Sequence, residues 1–258
     1  MSLAERIEEM ETELARLKHE LPSPAVERAV KQVAFIVDKS GSMQSCRTQV
    51  ISGFNEFVGD LKKEAALDIR FTLTLFDTVV EERHTALPVA DVPLLGDETY
   101  VPGGCTALYD ALGLTLASLE NRLGEDRETP VVVVVMTDGL ENSSREYGQR
   151  AISDRIKALS DKGNWTFVFM GADQDAWAAA APLGIPPANT LSYASAQTGA
   201  TMEQTTGATL KHLKSGARAT RDFYGPPTPG DTARARSEGA KLGWDIRRAK
   251  EAAKKAGK

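Results

Sequence analysis

Three short segments of this chain carry oxygen ligands at spacings that matter. Asp38, Ser40 and Ser42 stand at alternate positions around Gly41. Thr106 follows Gly103-Gly104-Cys105, and Asp138 lies between Thr137 and Gly139. Together they offer two carboxylates and three hydroxyls, with no thiolate or imidazole among them. Such a set suits a hard divalent cation in an octahedral oxygen shell, magnesium first and manganese as the alternative. Calcium is less favoured for want of carboxylates. If the hydroxyls bind directly and the aspartates act largely through water, the ion keeps most of its charge. It would then attract an external carboxylate, with the aspartates orienting the inner ligands.

The elements that must position these residues are legible in the hydrophobic pattern. Residues 33–37 form an apolar run that ends in Asp38, the signature of a buried strand spilling into a glycine-bent loop. Residues 49–66 have helical spacing through Val50, Ile51, Phe54, Phe57, Val58 and Leu61. Residues 69–76 alternate, with Ile69, Phe71, Leu73 and Leu75 on one face and Thr72 and Thr74 on the other. That pattern predicts a strand near the sheet edge, and residues 79–85 pair back with it through an Asp77-Thr78 turn. Residues 86–104 read as loop. A helix over 107–123 leads to five valines, 131–135, and Met136; a run without alternation implies a central parallel strand covered on both faces. Further on, the spacing predicts a helix over 144–160, a strand over 165–170, a short helix over 173–181, a strand over 190–193 and a helix over 200–223. Strands alternating with helices give a doubly wound α/β domain over residues 30–224, with a mostly parallel sheet and helices on both faces. In such sheets ligands bind beyond the carboxyl ends of the strands, where strand order reverses.

Two extensions flank that domain. In residues 1–22, Leu3, Ile7, Met10, Leu14, Leu17 and Leu21 recur at spacings of four and three, a heptad seam broken at Pro22. A parallel pair of such helices would match Arg6 with Glu11 and Glu13 with Lys18, so the seam suits a homo-oligomer or a partner's helix. The alternative is packing on the chain's own body. Residues 225–258 are rich in Pro, Ala, Lys and Arg and read as a solvated basic tail, the one place where nucleic acid or another acidic surface could dock.

Composition excludes several function classes. The net charge of −5 demands neither nucleic acid nor an acidic membrane. The longest apolar run is far below the ~20 residues that span a bilayer, and charges interrupt the N-terminus too often for a signal peptide, so a cytoplasmic protein is expected. Cys46 and Cys105 make neither a disulfide framework nor a zinc site; both are expected as buried or part-buried free thiols near the cup. His84 and Trp165 read as structural.

The arrangement Asp-x-Ser-x-Ser at 38–42, a threonine after two glycines at 106 and Thr-Asp-Gly at 137–139 resembles the von Willebrand factor A (vWA) domain. The three segments look like its metal-ion-dependent adhesion site, with all five positions filled. The stretches 139–147 and Gly53-Phe54-Asn55 look like bacterial or phage cytoplasmic members. The resemblance covers residues 30–224 and implies the Rossmann-like vWA fold and a magnesium-dependent protein-binding module, an adaptor or regulatory subunit. A partner's Asp or Glu would complete the metal shell. It leaves out the heptad seam and the tail. Enzyme readings fare worse: there is no Gly-x-Ser-x-Gly elbow, no phosphate loop and no second aspartate after Asp38 of the kind a dehalogenase-type phosphatase shows. A metal-dependent hydrolase on the same cup, or a structural oligomeriser working through the heptads, are the alternatives.

Overall fold

Two of the apolar runs are buried along nearly their whole length, and they form the middle of a six-stranded sheet. The computed structural model describes residues 29–172 and 176–225, together with Arg6 and Met10. Its strands are β1 (Val30–Asp38), β2 (Asp68–Phe76), β3 (Val80–Pro88), β4 (Val131–Thr137), β5 (Trp165–Ala172) and β6 (Thr190–Tyr193). Its helices are α1 (Arg47–Lys63), α2 (Leu108–Leu123), α3 (Gln149–Asp161), α4 (Ala176–Ala180) and α5 (Thr198–Lys214).

The sheet order is β3-β2-β1-β4-β5-β6, all parallel except β3, which runs antiparallel to β2. The chain builds outward from β1 to β2 and β3, then crosses to β4 on the other side. The order therefore reverses between β1 and β4, where Val37 pairs with Met136. Asp38 and Thr137, each one residue further on, end the two adjacent strands at the place where such folds bind ligands.

Both faces of the sheet are covered. On one, Val33, Phe35, Phe71, Leu73, Val132 and Val134 pack against Phe54, Phe57 and Leu61 of α1 and against Met202 and Leu213 of α5. On the other, Ile36, Val133, Val135, Phe167 and Phe169 pack against Leu112 and Leu116 of α2, Ile152 and Ile156 of α3, and Ala176 of α4. Each large apolar side chain so buried contributes ~1.5–3 kcal/mol. The two core layers thus hold β1 and β4, and with them Asp38 and Asp138, in fixed register. Among the described residues no helix is long and apolar enough to cross a membrane.

Several local expectations change. Thr72 and Thr74, expected on an outer face of β2, are fully buried. Thr74 shares a 2.7 Å hydrogen bond with Thr115 of α2, and the Thr72 hydroxyl accepts the Ala86 N–H. Hydroxyls satisfied in this way let an alternating strand bury both faces. Strand β3 continues to Pro88, past the expected loop boundary, with Ala86 at φ 46° beside a register shift. Helix α1 is preceded by a 3₁₀ turn, Gly41–Cys46, that carries Ser42. Helix α3 begins at Gln149 rather than 144, and α5 ends at Lys214 rather than 223. Gly216, at φ +73°, starts the return segment after α5, and Asn189 holds that segment by accepting the Phe223 N–H and donating to the Thr220 carbonyl. The heptad seam, apart from Met10, and the tail beyond Gly225 lie outside the described residues, as do 173–175; Met10 is helical and 70% exposed.

Candidate functional site

Strand β1 delivers Asp38 fully buried, and the turn after it delivers Ser40, nearly buried, and Ser42, exposed. Asp38 is held from two sides: Oδ1 accepts the Ser40 backbone N–H at 2.6 Å, and Oδ2 accepts the Thr137 hydroxyl at 2.5 Å. The Ser42 hydroxyl donates to Asp138 Oδ1 at 2.5 Å and lies 3.2 Å from the Ser40 hydroxyl. Thr106 closes the cup. A Cβ added at Gly139 would lie 2.9 Å from Thr106 Oγ1, so the threonine hydroxyl sits against the residue that follows Asp138, where only glycine leaves room. All five residues read from the sequence therefore meet beyond the carboxyl ends of the central strands β1 and β4.

Burial and the neighbouring acid set the electrostatics of the cup. Burial pushes Asp38 up to about 6 against the hydrogen bonds that stabilise its charge, and the nearby Asp138 raises it further. Lys39, adjacent in sequence, turns its ammonium to Asp77 at 2.6 Å and Glu81 at 3.1 Å instead. Among the described residues no group of three or more His, Cys, Asp or Glu side chains could hold a metal. The cup is of another kind, three neutral hydroxyls with two carboxylates, all hard oxygens. That donor chemistry fits magnesium or manganese and gives a softer metal no preferred ligand.

Several supporting residues escaped the sequence reading. The hydroxyl of Tyr100, fully buried, donates to the Asp38 carbonyl at 2.6 Å, and burial holds its phenol far above the usual range. Segment 139–148, expected to enter a helix, instead wraps the start of α2. Asn142 Oδ1 accepts the Thr106 N–H, and the Thr106 carbonyl accepts the N–H groups of Asn142 and Ser143. Glu141 accepts the N–H groups of Tyr109, Ser143 and Ser144 and the Ser144 hydroxyl. Asp110, buried in α2, accepts the N–H groups of Arg145, Glu146 and Tyr147. These bonds tie the loop after Asp138 to the helix after Thr106, so the two candidate ligands are positioned as one body. The signal available in the sequence was the Glu-Asn-Ser-Ser run, whose side chains favour local backbone capture over helix.

Cys46 is buried, its thiol toward the Met43 carbonyl, whereas Cys105 is exposed rather than part-buried. His84 lies on β3 opposite Leu73, and Trp165 is buried in β5, stacked with Phe167.

No family model and no curated protein matches the chain. Solved structures do. The vWF domain of the type V pili tip protein Mfa5 from Porphyromonas gingivalis is matched at 12% identity and TM-score 0.53, over 73% of this chain and 97% of that one. The pilus adhesin SpaC from Lactobacillus rhamnosus GG is matched at 14% identity and TM-score 0.53, over 74% of this chain and 31% of that one. Proximal thread matrix protein 1 from the mussel byssus, with a zinc-occupied MIDAS motif, is matched at 15% identity and TM-score 0.49, over 69% and 45%. The chain spans under half the length of the latter two. The sheet order, the reversal between β1 and β4 and the likeness to the Mfa5 domain together give this chain the von Willebrand factor A fold.

Proposed function

We propose that this chain is a divalent-cation-dependent protein-binding module, an adaptor or regulatory subunit, in which magnesium seated on Asp38, Ser40, Ser42, Thr106 and Asp138 takes a carboxylate from a partner protein. The observation that carries this reading is the convergence of those five oxygen ligands where strand order reverses. The ion would supply a positive charge little offset by its direct ligands. Ser40, Ser42 and Thr106 are the neutral ligands. Asp38 is already engaged by Thr137 and the Ser40 N–H, and so suits an orienting role through water. Asp138, bonded to Ser42, suits the same role.

Binding rather than catalysis is the role that the surroundings favour. Of the described histidines, His84 lies on the edge strand β3 opposite Leu73 of β2, and His212 of α5 lies against Thr166 and Phe223, partners that tie neither to the cup as a proton carrier. Self-association through the heptad seam and a cytoplasmic setting belong to the same proposal and rest on the sequence pattern alone.

The test is a magnesium titration of chelator-stripped full-length protein, read by thermal unfolding. At a hundredfold excess over the dissociation constant the native state should gain ~2.7 kcal/mol, and Asp138→Ala should remove the gain. An equal rise in wild type and variant would sink the metal assignment.

A further inference from the structure

A cavity of about 290 Å³ lies at the amino end of β5, away from the metal seat. Its walls come from three elements: Ile156 and Ser160 of α3, Trp165 and Phe167 of β5, and Arg221 of the return segment after α5. Trp165 pairs with Val131 and Gly171 with Thr137. At ~3.3 Å per residue, ~20 Å of strand therefore separates the level of the cavity from the end of β4. Trp165 and Phe167 are two positions apart and share one face of their strand. Their rings lie 6.1 Å apart at an interplanar angle of 14°, which gives the cavity two near-parallel aromatic planes among its walls.

Most of the polar groups around it are already used. Asn189 donates to the Phe167 and Thr220 carbonyls and accepts the Phe223 N–H. Thr220 gives its N–H to the Thr166 hydroxyl, and its own hydroxyl accepts the Asp222 N–H. The Ser160 carbonyl accepts the Gly163 N–H. The Ser160 hydroxyl and the Arg221 guanidinium differ: among the described residues neither has a hydrogen bond or an ion pair. Arg218, in the same segment, is by contrast paired with Glu128. A largely apolar cavity with a few unengaged polar groups is the usual make-up of a small-molecule site, and 290 Å³ stands at the lower end of the ~300–1,000 Å³ such sites occupy.

We propose that this cavity is a second ligand site, for an aromatic carboxylate of one or two rings. The rings seat against Trp165 and Phe167, where offset stacking and burial both favour them. The Arg221 guanidinium takes the carboxylate, its planar fork matching the two oxygens, and the Ser160 hydroxyl donates to the same group. A ligand held in this way bridges α3, β5 and the return segment, and so fastens further the segment that Asn189 and Thr166 already hold. The site shares no residue with the metal seat, so it stands or falls apart from the proposed function.

The experiment is calorimetric titration of full-length protein, in chelator, with 2-naphthoate. 2-Naphthamide serves as the neutral match and cyclohexanecarboxylate as the match without an aromatic ring. The expected result is saturable binding of 2-naphthoate, with both matches bound at least about tenfold more weakly, the scale of one charge-assisted hydrogen bond. Arg221→Gln, at an exposed position, should weaken 2-naphthoate about tenfold and leave 2-naphthamide unchanged. Ser160→Leu, which fills the cavity from the last turn of α3, should abolish binding of both. No saturable binding of 2-naphthoate at millimolar concentration would overturn the proposal. Equal binding of the acid and the amide, an affinity that Arg221→Gln leaves unchanged, or binding that survives Ser160→Leu would overturn it as well.

Discussion

Replacing Asp110 tests whether the loop after Asp138 is positioned by the start of α2. The Asp110 carboxylate, 8% exposed, accepts three backbone N–H groups at 2.8, 2.9 and 2.8 Å, from Arg145, Glu146 and Tyr147. A net hydrogen bond to a charged group is worth ~1.5–3 kcal/mol. Arg145 and Glu146 are exposed, so water can take over part of what Asp110→Ala withdraws. The expected loss is then about 3–5 kcal/mol, a large fraction of the ~5–15 kcal/mol that holds a domain together. Asp110→Asn keeps one acceptor oxygen and should lose about half as much. Urea unfolding of the full-length variants measures both. The same variants should bind magnesium about 10–100-fold more weakly, the usual effect of removing support behind a ligand, because Asp138 and Thr106 would no longer be held together. A loss under ~1 kcal/mol in Asp110→Ala, with magnesium affinity unchanged, would refute the view that this loop and helix act as one body.

Two further outcomes follow from the same geometry. Gly113 lies beneath the Tyr147 ring, and a Cβ there would meet ring carbons at 2.4–2.5 Å; Gly113→Ala should destabilise the chain by about 1–3 kcal/mol, and adding Tyr147→Ala should recover part of that in a double-mutant cycle. The second concerns pH. Burial lifts the Asp38 carboxyl from its ordinary 3.8 to about 6, so between those values the folded state holds a proton that the unfolded chain releases. Chelator-stripped protein therefore gains stability from Asp38 as pH falls through 6, and loses that contribution as pH rises. Magnesium has the opposite preference because it needs the ionised carboxylate. Its affinity should fall as pH drops below about 6 and level off above it, a trend that calorimetric titration at several pH values would show or deny.

The sheet was legible because its central strands have no polar alternation to confuse: residues 33–37 and 131–136 allow only burial on both faces, with Asp38 directly after the first run and Asp138 one residue beyond the second. The site was legible for the same reason, since the spacing from strand end to hydroxyl is local in β1 and the aspartate is local in β4. What depends on long-range hydrogen bonds was not. Thr72 and Thr74 alternate like solvent-facing residues, and only their bonds to Ala86 and Thr115 let them be buried. Residues 144–148 have helical spacing, yet the backbone of 145–147 is captured by Asp110, a residue more than thirty positions away. The end of α5 was blurred because Phe223, which looks like the last apolar position of the helix, packs into the core from the return segment that Asn189 holds. Cys105 is exposed because the loop preceding α2 turns it outward while Thr106 turns in.

The most direct measurement is calorimetric titration of magnesium into chelator-stripped full-length protein near neutral pH, beside Asp138→Ala and Ser42→Ala. The account predicts one magnesium per chain in wild type, with binding abolished in the first variant and weakened in the second. Equal binding in all three proteins, or none in wild type, would contradict it.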